Sequence, residues 1–106
     1  MEDSQGNARI TGPCGDTMEF WLTVRDGKVE RVSFITTGCG PSLASGSMTT
    51  TLAGGKSIDD VMALRQKDVL DALQGLPKES EHCALLAVNT LRAACEDCLK
   101  REKEKP

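Results

Sequence analysis

Thr17-Met18-Glu19-Phe20-Trp21-Leu22-Thr23-Val24, then Arg25-Asp26-Gly27-Lys28, then Val29-Glu30-Arg31-Val32-Ser33-Phe34-Ile35-Thr36 is the stretch that decides the fold. In its first part Met18, Phe20, Leu22 and Val24 alternate with Thr17, Glu19, Trp21 and Thr23. A strand turns successive side chains to opposite faces, so this is a half-buried strand with one apolar side. Asp26-Gly27 suits a two-residue hairpin turn, in which both central residues need positive φ. Val29 to Thr36 is then the returning strand. Strict alternation puts Val32 and Phe34 on one side, with Val29 and Ile35 on the other.

Outward from this hairpin, Ala8-Arg9-Ile10-Thr11 reads as a brief edge strand before the turn Gly12-Pro13-Cys14-Gly15. Thr37-Gly38-Cys39-Gly40 closes the sheet, and Pro41 suits the first turn of a helix running to about Leu52. Its apolar stripe is Leu43, Ala44, Met48 and Leu52. Gly54-Gly55 breaks that helix, Ser57 caps a short one through Leu64 with Asp60 as partner, and Asp68 to Leu73 forms another. Gly75 and Pro77 stop it. Ser80 is the expected N-cap of the last helix, about Glu81 to Arg101. Its face of Ala84, Ala87, Val88, Leu91, Ala94, Cys95 and Cys98 recurs in steps of three and four. Strands first and helices after predict an α+β fold: a small three-stranded antiparallel sheet followed by several helices packed on one side.

With 106 residues the chain is expected to form one domain, residues 1–106, with polar tails over 1–7 and 102–106. A net charge of −3 without a basic stripe argues against nucleic acid as a partner. Met1 to Asn7 has no apolar core of a secretory leader, and no segment is apolar for long enough to span a bilayer, so no membrane partner is expected and the expected compartment is the cytoplasm. Five cysteines is an odd number, which argues against a disulfide framework and towards metal or sulfur chemistry.

Three of those cysteines stand in unusual company: Cys14 in Gly12-Pro13-Cys14-Gly15-Asp16, Cys39 in Gly38-Cys39-Gly40, and Cys83 in His82-Cys83. Cysteine that only packs is a small hydrophobe, and flanking glycines serve that role badly. Cys14 and Asp16 are two apart at a strand entrance, so thiolate and carboxylate can face one site. Cys39 precedes one helix and Cys83 lies in the first turn of another, where the helix dipole favours thiolate. His82 and Cys83 diverge by about 100° on a helix, so they share a neighbourhood more easily than one metal atom. The alternatives are a packed Cys83, an exposed His82 and a turn carboxylate at Asp16. Cys95 and Cys98 form C-x-x-C, but both fall on the apolar stripe, so they read as core. A thiolate set completed by one carboxylate is more exchangeable than an all-cysteine set, which suits a cluster to be handed on.

These residues resemble the IscU/NifU family of iron–sulfur cluster assembly scaffolds. The resemblance runs from about Arg9 to Lys100 and rests on Gly12-Pro13-Cys14-Gly15-Asp16-Thr17-Met18, Thr37-Gly38-Cys39-Gly40, Gly55-Lys56-Ser57, Leu76-Pro77 and His82-Cys83. It implies an IscU/SufE-like fold and a carrier, not an enzyme. It implies a [2Fe–2S] cluster, or iron or zinc, held by Cys14, Cys39 and Cys83, with Asp16 or His82 as fourth ligand. It also implies a cysteine desulfurase that delivers persulfide sulfur to Cys83, and apo-protein recipients. The family's Leu-Pro-Pro-Val-Lys segment is here Leu76-Pro77-Lys78-Glu79-Ser80, which weakens the expectation of an Hsp70-type chaperone. Pro41-Ser42 stands where small residues usually follow the second cysteine. Two other readings compete: a structural zinc module, and a persulfide relay that holds no cluster.

Overall fold

The computed structural model describes residues 4–13, 15–38 and 40–103. Strands β1 (Ser4–Thr11), β2 (Thr17–Arg25) and β3 (Lys28–Thr36) form an antiparallel meander in the order β1-β2-β3. Helices α1 (Pro41–Ala53), α2 (Ile58–Met62) and α3 (Gln66–Ala72) follow, and a 3₁₀ turn, Lys78–Ser80, leads into α4 (Glu81–Lys103). This is the α+β architecture that the order of elements predicts.

The central hairpin forms as its residues dictate. Asp26 and Gly27 take φ of 55° and 77°, the left-handed pair of a type I′ turn, and Arg25 pairs with Lys28. Met18, Phe20, Leu22 and Val24 are all buried, while Trp21 on the opposite face is 39 % exposed. Alternation fails on β3. Val29 is fully buried on the same side as Val32 and Phe34, not opposite them. The cause is a bulge: Val24 pairs with Val29 but Thr23 pairs with Arg31, so Glu30 is an extra residue that resets the parity.

The first strand starts at Ser4, four residues earlier than its apolar pattern suggests, so Ser4 to Asn7 are strand and not tail. What holds this polar start is contact with α4. The Asn7 backbone N–H donates to Asp97 Oδ2 at 2.9 Å. Gly6 lies so close to α4 that a Cβ there would strike the Ala94 carbonyl and come within 2.8 Å of Cys98 Cβ. Glycine is needed for that approach.

Helix α4 crosses β1 and β2, and α1 lies between α4 and β3. The α4 stripe is as read: Ala84, Ala87, Val88, Leu91, Ala94, Cys95 and Cys98 are each at most 1 % exposed. The α1 stripe holds only in part: Met48 and Leu52 are half-buried against the core, but the most buried face is another. Its buried residues are Ser42, Ser45, Gly46, Thr49 and Ala53, and Leu43 is 51 % exposed. Gly46 sits against the Phe34 ring, where any Cβ would collide with it. The helix is drawn onto the sheet by small residues, and that geometry rotates Leu43 outwards.

The connecting helices position the start of α4. Ser57 Oγ accepts from the Asp60 backbone N–H at 3.2 Å, which caps α2. Helix α3 begins at Gln66, before the Asp68 start read from sequence, because Asp68 Oδ2 accepts from the Arg65 backbone N–H at 2.9 Å and so acts from inside the first turn. Gln66 Nε2 donates to the Glu81 carbonyl at 2.9 Å, and the Arg92 guanidinium donates to the Leu64 carbonyl at 2.8 Å. Ser80 is part of the 3₁₀ turn, its N–H bonded to the Pro77 carbonyl at 2.8 Å. Among the described residues no helix is long and apolar enough to cross a membrane.

Candidate functional site

The sheet register brings two loops together. Met18 pairs with Thr36, and the ladder is extended by Thr37 N–H to the Thr17 carbonyl at 3.0 Å and Thr17 N–H to Thr37 Oγ1 at 2.9 Å. One residue further, Asp16 comes beside Gly38. The Gly12–Asp16 turn is closed by Gly12 N–H to the Asp16 carbonyl at 2.8 Å, with Gly15 at φ +92°. Gly38 has no room for a side chain: a Cβ would strike Ser42 Oγ and lie 2.8 Å from Asp16 Oδ2. Gly40, at φ +48°, then turns the chain into α1. The α4 side of the site comes from the same end of the sheet, since Leu86 of α4 would lie 3.2 Å from a Cβ on Gly12.

The result is a cleft of about 350 Å³ lined by Asp16, Gly38, Ser42, Ser80, His82 and Cys83, among others. Cys83 is 5 % exposed and Ser42 2 % exposed. Ser42 Oγ donates to Asp16 Oδ2 at 3.2 Å and lies 3.4 Å from Cys83 Sγ, so one hydroxyl joins the carboxylate and the thiol. His82 Nε2 lies 3.7 Å from Cys83 Sγ. Neighbouring residues on a helix start out diverging, yet the imidazole is long enough to swing its far nitrogen back to the sulfur. Of the expected site residues, the fold therefore unites Asp16, His82 and Cys83. Cys14 and Cys39 lie outside the described residues; Gly15, Gly38 and Gly40 flank them. Among the described residues, no three of His, Cys, Asp and Glu alone form a metal-ligand group.

Ser42 was not among the residues that the sequence singles out. The signal that reveals it is the spacing of small residues at 42, 45, 46, 49 and 53, one helical face, with Ser42 at the end nearest the Gly38–Gly40 loop. Cys95 and Cys98, by contrast, are fully buried on the apolar stripe. Burial, then the neighbouring Cys98 and Glu96, push the Cys95 thiol up to about 12 from the ordinary 9.0. A thiol held protonated in that way is inert.

With this geometry in place, comparison with known proteins is decisive. The model of the NifU-like N terminal domain matches residues 1–105. The chain belongs to that family. Over 102 residues it is 37 % identical to the Archaeoglobus fulgidus protein named iron-sulfur cluster assembly scaffold protein IscU 1, spanning 95 % of this chain and 67 % of that one. It is 34 % identical over 106 residues to the Escherichia coli K12 protein named iron-sulfur cluster assembly scaffold protein IscU, spanning 98 % and 82 %. Among solved structures it is similar to a nitrogen-fixing NifU-like protein (N-terminal) from Brucella abortus. That match has a TM-score of 0.65 at 22 % identity, over 94 % of this chain and 80 % of that one, and supports the fold.

Proposed function

We propose that this NifU-like chain, acting as one unit, is a scaffold on which a [2Fe–2S] cluster is built from iron and sulfur and passed to apo-proteins. The cluster is cargo, so the chain is a carrier without turnover of its own. The observation that carries this reading is the convergence of Asp16, Ser42, His82 and Cys83, from three separate segments, around one cleft. Membership of a family whose relatives are named as scaffolds supports it.

Cys83, Cys14 and Cys39 would supply the soft ligands, and Asp16 or His82 the fourth. The donor set fits iron in sulfide: thiolate sulfur with one oxygen or imidazole nitrogen. Sulfur would arrive from a cysteine desulfurase as a persulfide. The Cys83 thiolate attacks the outer sulfur, the sulfur–sulfur bond of the donor breaks, and the donor cysteine leaves as thiolate. In the tautomer with an unprotonated Nε2, His82 can take the Cys83 proton beforehand. Converting that sulfur to sulfide takes two electrons from an external thiol or ferredoxin-type reductant. An unpaired Cys83 thiol suits a reducing compartment such as the cytoplasm.

Anaerobic reconstitution with ferrous iron and sulfide tests the proposal. The expected product is coloured and contains iron and acid-labile sulfide in equal amounts. A colourless protein that retains only zinc would establish the zinc module instead. Persulfide at Cys83 without any iron uptake would establish the relay.

A further inference from the structure

One buried side chain at the site belongs neither to the ligand set nor to the family motif. Ser42 is 2 % exposed, and its hydroxyl bridges Asp16 Oδ2 at 3.2 Å and Cys83 Sγ at 3.4 Å. We infer that Ser42 is a positioning residue that fixes the Asp16 carboxylate and the Cys83 sulfur in a single arrangement for an incoming metal ion. The inference deepens the scaffold proposal and rests on it.

Three observations bear it. First, a hydroxyl has one hydrogen to give and lone pairs to receive, so Ser42 can donate to Asp16 and accept from the Cys83 thiol at once. Second, its behaviour differs from that of the other hydroxyls on α1. Thr49 bonds back to the Ser45 carbonyl at 2.7 Å, and Thr50 and Thr51 to the Ser47 carbonyl at 2.7 and 3.0 Å. Those bonds stay within the helix, whereas Ser42 reaches two other segments of the chain. Third, the packing around it is made for this contact. Gly38 leaves the space that Ser42 Cβ and Asp16 Oδ2 occupy, since a Cβ there would lie 2.7 and 2.8 Å from them. At 2 % exposure the hydroxyl is committed to these two partners, and its loss leaves the carboxylate oriented by fewer of them.

Groups that orient metal ligands from behind typically contribute about tenfold or more in affinity. The test titrates Co²⁺ into the full chain without iron or sulfide and follows the thiolate-to-cobalt absorption band. Ser42→Ala is expected to bind Co²⁺ about tenfold more weakly. Thr49→Val removes a buried hydroxyl from the same helix face and is expected to leave binding unchanged. Should Ser42→Ala fail to fold, Ser42→Gly removes the same hydroxyl without adding a metal ligand and carries the same expectation. In the metal-free protein, Hα–Hβ couplings of Asp16 are expected to report one rotamer, and averaged rotamers in the Ser42 variant. Unchanged affinity and unchanged couplings in that variant, or an equal loss in Thr49→Val, would overturn the inference while a coloured wild type leaves the scaffold proposal standing. A wild type that takes up no Co²⁺ overturns both.

Discussion

Helices α1 and α4 lie side by side over one sheet and are held there by opposite means. α4 buries an apolar stripe, with Leu91 and Val88 at 1 % exposure and three alanines and two cysteines at 0 %. α1 buries Ser42, Ser45, Gly46, Thr49 and Ala53, and leaves Leu43 in solvent. Ser45 Oγ even lies buried with no hydrogen-bond partner among the described residues. Hydrophobic burial is proportional to area, so α4 supplies most of what holds the helices on the sheet. Small residues supply closeness instead. A helix that approaches through Gly46 and Ser42 can bring a polar side chain to within hydrogen-bonding distance of Asp16 and Cys83, which a face of leucines could not. The division of labour is between the apolar stripe of α4, which anchors, and the small-residue face of α1, which lets Ser42 reach the Cys83 that the first turn of α4 presents.

The largest effect that would break this comparison comes from α4. Leu91→Ala removes a large side chain that is 1 % exposed in the centre of the core, and is expected to cost about 2–5 kcal/mol in urea unfolding. Truncation on α1, such as Thr49→Ala, is expected to cost much less. Equal losses would mean that α1 anchors the fold as strongly as α4 does.

The next effect acts on α1 and has the opposite sign of volume. Gly46→Val places branched carbons where the Phe34 ring already stands. Overpacking of that kind costs roughly 1–3 kcal/mol and forces the backbone apart. If closeness is what α1 contributes, the same variant also loses Co²⁺ affinity, because Ser42 moves with the helix. A destabilised variant with unaltered affinity would separate packing on Phe34 from the site and end the idea that one serves the other.

The same contrast explains how much was legible beforehand. The β2–β3 hairpin and the α4 stripe announce themselves, because large apolar residues recur with the period of their element. Strict alternation puts Val29 on the wrong face because an added residue at Glu30 leaves no mark in composition. The start of β1 was missed because Gly6 and Asn7 are held by a close approach and by Asp97, not by apolar burial. Leu43 departs from the expected stripe because α1 rests on the sheet through its small residues, while Met48 and Leu52 still pack partly against the core. Asp16, His82 and Cys83 stand out from their neighbours in sequence, and the structure brings them to one cleft. Ser42 does not stand out, since its role depends on Gly38 and Asp16, which are distant in sequence until the register Met18 to Thr36 brings them together.

The smallest effect concerns a residue that both periodicity and packing assign to the core. Cys95 is fully buried on the α4 stripe, and burial foremost, with Cys98 and Glu96 behind it, raises its thiol to about 12 from 9.0. The raised value fixes the sign of its pH dependence. Unfolded chain releases this proton first, so the contribution to stability is complete below about pH 9 and is lost as the pH rises from there towards 12. By pH 10 the loss amounts to about 1 kcal/mol, from the 1.36 kcal/mol that each unit of differential protonation carries. Urea unfolding at pH 8 and pH 10, for the wild type and for Cys95→Ala, isolates the term: the wild type should lose that much more than the variant. Alkylation of the native protein at pH 8.5 should spare Cys95 and mark it only in denaturant. A Cys95 that reacts in the native state would place an accessible thiol in the buried stripe of α4, apart from Cys83 at its first turn, and the reading of that stripe as anchor would no longer hold.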